Sequence, residues 1–167
     1  MKVRRTYPED APLIDQILER AYPTLMAGTY RKEVLSVALP FLTKSNVKLL
    51  KSGTYYVAEE AGHILGCGGW TLERPGTSEV TPGIAHLRNF ATDPAFVRQG
   101  VGRTIFRECA QAAAQAGAKM FQAYSSLNAE PFYESLGLTR IKLIDLPKPL
   151  TVPIPAILME GPIKIES

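Results

Sequence analysis

Residues 97–106, VRQGVGRTIF, place Gly100 and Gly102 two positions apart between Arg98 and Arg103, at the head of a helical pattern. Glycine weakens a helix by about 1 kcal/mol relative to alanine, so two of them here need a reason. One reason is a phosphate cradle. A backbone without Cβ atoms can approach an anion closely, the first helical turn offers amides without intrahelical partners, and the helix dipole adds positive charge. The other is a tight strand-to-helix turn in which glycine only relieves strain. Gly-x-Gly alone does not separate the two. A Walker A loop would need Gly-Lys followed by Ser or Thr, and a dinucleotide fingerprint would need a third glycine where Ile105 stands. Both motifs fail.

Outward from the loop, Val101, Ile105, Cys109, Ala112, Ala113 and Ala116 form the apolar stripe of a long helix that Gly117 ends. KMFQAYSS then returns to a strand, and Ser126 or Asn128 can cap a short helix over residues 129–136. Strands near residues 140–146 and 156–163 close the chain around a proline-rich connection. Upstream, KVRRT is an opening strand, and Asp10 can cap a helix to about Tyr22 on which Leu13, Ile14, Ile17 and Leu18 recur. PTLMAGT is expected to turn. Residues 30–50 form a second helical region, with Val34, Leu35, Ala38 and Leu39 on one side, which Pro40 should kink or split. The period then changes to three strands in a meander, TYYVAEE, GHILGCGGWTLE and residues 84–92. The order of strand, two helices, three strands, helix, strand, helix and two strands describes a mixed sheet covered by helices.

The composition narrows the function classes. With 46% hydrophobic and 21% charged residues in 167, the chain resembles an ordinary globular protein with one core and neither a disordered nor a membrane chain. No apolar run approaches the roughly 20 residues that cross a bilayer, and the N-terminus turns polar where a signal peptide would become apolar, so the cytoplasm is expected. Cys67 and Cys109 lack metal-site spacing and are expected as buried thiols with no metal. A net charge of +3 with scattered basic residues does not suggest nucleic-acid binding, and suits a small anionic ligand.

In its context, NFATDPAFVRQGVGRTIF resembles the pyrophosphate loop of the GCN5-related N-acetyltransferases, commonly Gln or Arg, two variable residues, Gly, one variable residue, then Gly or Ala. Gly100 and Gly102 match the small positions, Asp93-Pro94 fits the preceding segment, and Val97 departs from the usual polar residue. Downstream, NAEPFYESLGL resembles the family's FYxxxGF element, with Phe132, Tyr133 and Gly137 in place and Leu138 where Phe is commoner. The two elements fall in the expected order, about 30 residues apart. The resemblance implies an α/β (α+β) GNAT-like fold in one domain over residues 1–167: a mixed, splayed, mostly antiparallel sheet of about six to seven strands flanked by about four helices. It also implies acetyl-CoA as co-substrate and direct transfer to a primary amine of a small molecule or of a protein or peptide, a small molecule being the expected acceptor, with no nucleic-acid or membrane partner and room for a homodimer.

The same resemblance assigns roles. Tyr133 matches the tyrosine that points at the CoA sulfur. Full proton transfer from a tyrosine (pKa about 10) to a thiolate (about 8.5) is uphill by roughly 2 kcal/mol, so stabilisation by a hydrogen bond is expected unless the site lowers the tyrosine pKa. The alternative is a tyrosine packed inward beside Phe132. Phe90, Ala91 and Thr92 would offer backbone groups to the pantetheine and thioester. Val97, Arg98, Gln99, Gly100, Val101, Gly102 and Arg103 would hold the pyrophosphate. Asn128 is either a cap or a hydrogen-bond partner of the CoA arm, the usual family asparagine position being Ser126. His86 stands where some members carry a glutamate base, and strand alternation puts it on the face of Phe90 unless a bulge intervenes. It could equally be a histidine satisfied by local hydrogen bonds. Glu73 and water are the other bases available, and His63 is expected at the surface. Tyr22, Leu25, Met26, Tyr30 and the proline-rich residues 146–155, with Asp145 nearby, would border a partly apolar acceptor cleft. A catalytically silent acyl-CoA-binding regulatory module is the competing function.

Overall fold

In the computed structural model, which describes residues 1–146 and 152–165, the opening strand β1 (Lys2–Arg5) leads through a 3-10 turn into α1 (Ala11–Met26). Two more helices follow, α2 (Lys32–Leu42) and α3 (Val47–Leu50). The meander is β2 (Tyr55–Glu60), β3 (His63–Thr71) and β4 (Ile84–Thr92). Then come α4 (Val101–Gln115), β5 (Met120–Ser126), α5 (Glu130–Ser135), β6 (Thr139–Asp145) and β7 (Pro155–Pro162). The sheet order is β1-β2-β3-β4-β5-β7-β6, with β4 and β5 the parallel pair and the other neighbours antiparallel.

The helices cover both faces. Val101, Ile105, Cys109 and Ala113 of α4 pack with Leu65, Ala85, Leu87 and Phe121 of the sheet. On the other face Ile14, Ile17, Leu18 and Ala21 of α1 and Leu49 and Leu50 of α3 meet Tyr55, Val57, Cys67 and Ala91. A third cluster joins Met26, Tyr30, Leu35, Ala38 and Ile154.

The helical half departs from the sequence reading in five places. α1 runs through Pro23 to Met26 and does not turn at PTLMAGT, because Met26 continues the buried face. Leu13, expected in the apolar stripe, is exposed. α2 continues through Pro40, whose lost amide falls in the last turn with two residues to follow, and the break comes at Thr43, whose amide and hydroxyl both bond the Leu39 carbonyl. A fifth helix, α3, is capped by Asn46, whose Oδ1 accepts from the Leu49 amide at 3.2 Å. Asp10 stands at the α1 N-cap position, but its carboxylate takes a bidentate bond from Arg4 at 2.9 and 3.0 Å and the Tyr7 amide at 2.7 Å.

Candidate active site

β4 and β5 stay together over three pairs, Ile84 with Met120, Ala85 with Phe121 and His86 with Gln122. Beyond them β5 remains with β7 over its whole length, while β4 remains with β3. The sheet therefore opens between its two central strands, leaving one edge of residues 87–92 without strand partners.

A bulge sharpens the opening. Opposite the step from Cys67 to Gly69, β4 carries one residue more than β3, and Asn89 there has φ +50°, a backbone region that asparagine tolerates better than most residues. An added residue shifts the alternation of faces. Leu87 packs on the α4 side before the bulge and Phe90 after it, where its ring meets Phe132 at 6.1 Å and Tyr133 at 6.4 Å. His86 is thus on the opposite face from Phe90, which corrects the unbulged expectation. The bulge also redirects carbonyls: Asn89 accepts from the Tyr55 hydroxyl at 2.7 Å and Phe90 from the Tyr22 hydroxyl at 3.2 Å.

At the end of β4, Asp93 is buried and locks the loop. Its Oδ1 accepts from the Ala95 amide at 3.0 Å, starting a 3-10 turn, and its Oδ2 pairs with Arg20 of α1 at 2.9 Å. Arg98 has φ +64° and Gly100, the α4 N-cap, φ +79°. A Cβ on Gly100 would meet nothing within 4 Å, so its glycine serves the left-handed turn beside open space. Gly102 is different. A Cβ there would lie 2.8 Å from the Phe132 ring, so this glycine lets α4 approach α5. The first-turn amides of Val101, Gly102 and Arg103 have no intrahelical acceptors. Val97, Arg98, Gln99 and Arg103 are exposed. Arg103 donates to the Ser135 carbonyl at 3.2 Å.

A cavity of about 610 Å³ lies where the sheet opens. Tyr22, Met26, Tyr30, Phe90 and Tyr133 line it, together with Arg88 and Asn89 and the α2–α3 turn from Leu42 to Asn46. Tyr133 is 8% exposed, and its hydroxyl has no hydrogen-bond partner among the described residues. Burial drives its pKa well above the ordinary tyrosine value. Asn128 does not cap a helix: it sits inside a 3-10 turn, and its buried Oδ1 has no partner among the described residues. Like His86 Nε2, this unpartnered atom is shut off from solvent, and Asn128 is not among the cavity's lining residues.

His86 is 3% exposed, with Nε2 unpartnered, and is not among the cavity's lining residues. Burial and the neighbouring Arg88 and Arg74 lower its pKa. Glu73 and His63 are exposed and outside the lining. Of the expected acceptor border, Tyr22, Met26, Tyr30 and Leu146 line the cavity, whereas Leu25 and Asp145 are exposed and do not. Residues 147–151 of the proline-rich connection lie outside the described residues. Arg88, Asn89 and the α2–α3 turn are lining residues that sequence reasoning missed. The signal available was Asn89 itself, a turn-type residue inside a strand. Among the described residues no group of His, Cys, Asp and Glu could hold a metal ion, and no helix is long and apolar enough to cross a membrane.

A family model described as an acetyltransferase (GNAT) domain matches residues 51–139. Comparison with curated protein sequences gives no match. Among solved structures, one described as a GCN5-related N-acetyltransferase (aminotransferase, class-II) from Rhodopseudomonas palustris superposes with a TM-score of 0.76 at 18% identity, over 96% of this chain and 94% of that one. The PaiA N-acetyltransferase from Thermoplasma acidophilum, in complex with coenzyme A, gives 0.70 at 17% identity over 96% and 98%. The ribosomal-protein-S18-alanine N-acetyltransferase from Escherichia coli gives 0.63 at 20% identity over 99% and 96%. At these identities the likeness is one of fold.

Proposed function

Because the chain belongs to the GNAT acetyltransferase family, we propose that it is an acetyl-CoA-dependent N-acetyltransferase that moves the acetyl group directly to a primary amine within a ternary complex, as one domain. The observation that carries this reading is the cavity at the opening of β4 from β5. Tyr133, whose hydroxyl has no partner among the described residues, stands in its wall.

Acetyl-CoA supplies the activated thioester. The first-turn amides of α4, aided by Arg98, hold the pyrophosphate. Backbone groups of Phe90, Ala91 and Thr92 orient the thioester. As the amine nitrogen bonds to the carbonyl carbon, the carbon–sulfur bond breaks, the amine proton leaves to water, and the thiolate takes a proton afterwards. Tyr133 donates a hydrogen bond to the sulfur. With its pKa raised it is a poor source of a full proton, so it stabilises the thiolate without ionising.

A covalent acetyl-enzyme finds no support. Cys67 and Cys109 are both buried outside the cavity lining, and burial pushes the Cys67 thiol up to about 11. Ser45 and Ser126 line the cavity with no histidine or carboxylate among its described lining residues to activate them. The absence of a histidine or carboxylate from the described lining favours the silent CoA-binding module as the second reading, because no side-chain base faces the acceptor. Initial velocities separate these possibilities. Direct transfer gives intersecting patterns when acetyl-CoA and amine are varied, and acetyl-CoA alone adds no 42-dalton increment (about the mass of one acetyl group replacing hydrogen) to the intact protein in a mass spectrum. Parallel patterns with an acetylated protein would overturn direct transfer, and CoA binding without turnover on any amine would establish the module.

A further inference from the structure

The cavity's charge is one-sided. Its described lining holds two cations, Arg88 and Lys44, and no aspartate, glutamate or histidine. Lys44 is exposed at the rim, whereas Arg88 is half-buried on β4. Its Nη1 donates to Thr71 Oγ1 at 3.0 Å, and the guanidinium has no other hydrogen-bond or ion-pair partner among the described residues. Glu73, the acid whose field reaches it, is exposed, forms no ion pair with it and does not line the cavity. A guanidinium withdrawn from water without a carboxylate is costly. Its place in the wall of a ligand cavity is explained when the ligand brings the anion.

The location separates this cation from the CoA phosphates. Arg88 precedes Thr92, the last residue of β4, by four residues across the bulge, and the phosphate-binding amides lie beyond Thr92. Phe90 is two residues away and lines the same cavity, so one small molecule can carry both the anion and the reacting amine. Thr71 engages Nη1, which leaves the Nε and Nη2 edge, a pair of parallel donors matched to one carboxylate. The same cavity is also lined by the apolar Met26, Phe41, Leu42 and Leu146.

Building on the acetyl-transfer reading, we propose that the acceptor is a small amine bearing a carboxylate, an α-amino acid with an apolar side chain, whose carboxylate pairs with Arg88 and whose amino group points to Phe90 and Tyr133. Polyamines and other polycations meet two like charges here and are disfavoured.

The test uses L-phenylalanine, L-phenylalaninamide, phenethylamine and spermidine. Each is titrated calorimetrically into the CoA-loaded protein and assayed with acetyl-CoA by release of free thiol. The expected result is that phenylalanine binds, and is turned over in kcat/KM, at least about 30-fold better than its amide or phenethylamine. In Arg88→Gln, and less so in Arg88→Lys, that ratio falls toward one while circular dichroism shows the fold retained. Equal use of acid and amide, a preference for spermidine, binding by none of the four, or an unchanged ratio in both variants would overturn the proposal. The binding arm keeps this distinct from the acetyl-transfer reading. Carboxylate-selective binding without thiol release would refute the enzyme and leave the anion site standing.

Discussion

The role proposed for Tyr133 rests on an environment that resists ionisation. Its ring is wedged against Phe132 at 5.1 Å and Phe90 at 6.4 Å, and burial holds the hydroxyl protonated far into alkali. Tyr133→Phe removes a hydrogen bond made to charge that develops in the transition state, so kcat should fall about 100-fold with KM for acetyl-CoA little changed. Steady-state kinetics check this. The raised pKa also has a direction in pH: the hydroxyl stays a donor through the ordinary tyrosine range, so wild-type kcat/KM should show no descending limb near pH 10. His86 gives a stability prediction of opposite kind. Its folded pKa lies below the unfolded value of about 6.5, so below that pH the unfolded chain binds more protons and stability drops as pH falls. Melting curves from pH 7 to 5 should therefore show a smaller loss of Tm in His86→Asn than in the wild type. The places of Gly100 at the head of α4 and of Tyr133 on the short helix after β5 were legible in the sequence. The face of His86 was not, because one extra residue at Asn89 inverts it and a bulge leaves little trace in hydrophobic alternation.

The junction of α4 with α5 makes the site one unit. Gly102 gives the Phe132 ring its seat, Arg103 reaches the α5 C-terminal turn at Ser135, and Arg140 of β6 binds Glu130 at the start of α5 with 2.6 and 2.7 Å bonds. The sequence suggested that Gly102 spares a pyrophosphate; the structure gives it a packing role that no spacing rule could reveal. Gly102→Ala should accordingly cost about 1–3 kcal/mol in chemical denaturation, typical of overpacking. Most of that cost should disappear in a Phe132→Leu background, because two residues in contact do not act additively. An equal cost in both backgrounds would contradict the packing role. Strands and long helices were read close to their true bounds because burial imposes their periods. The errors gathered at 23–26, 40–50 and 128, where prolines and caps compete with tertiary contacts.

Across the whole molecule, the cavity exists because distant segments are tied over the opened sheet. Tyr30, after α1, donates to the Pro155 carbonyl at 2.6 Å and accepts from the Leu127 amide at 2.9 Å, joining the α1–α2 connection to β7 and to the end of β5. Tyr30→Phe strands two backbone groups and should destabilise the protein by about 1–3 kcal/mol, with KM for the acceptor rising more than KM for acetyl-CoA. The mixed sheet and its helical layers were legible from element order and the change of period. The cavity's electrostatic character was not, since Arg88 gains its meaning from Thr71 and from what does not face it. The most direct test of acetyl transfer is the release of CoA thiol from acetyl-CoA with and without an amine panel that includes apolar amino acids. Thiol should appear in step with acetylated amine and fall sharply in Tyr133→Phe. Thiol release that is independent of amine, or absent with every amine while CoA binds, would contradict it.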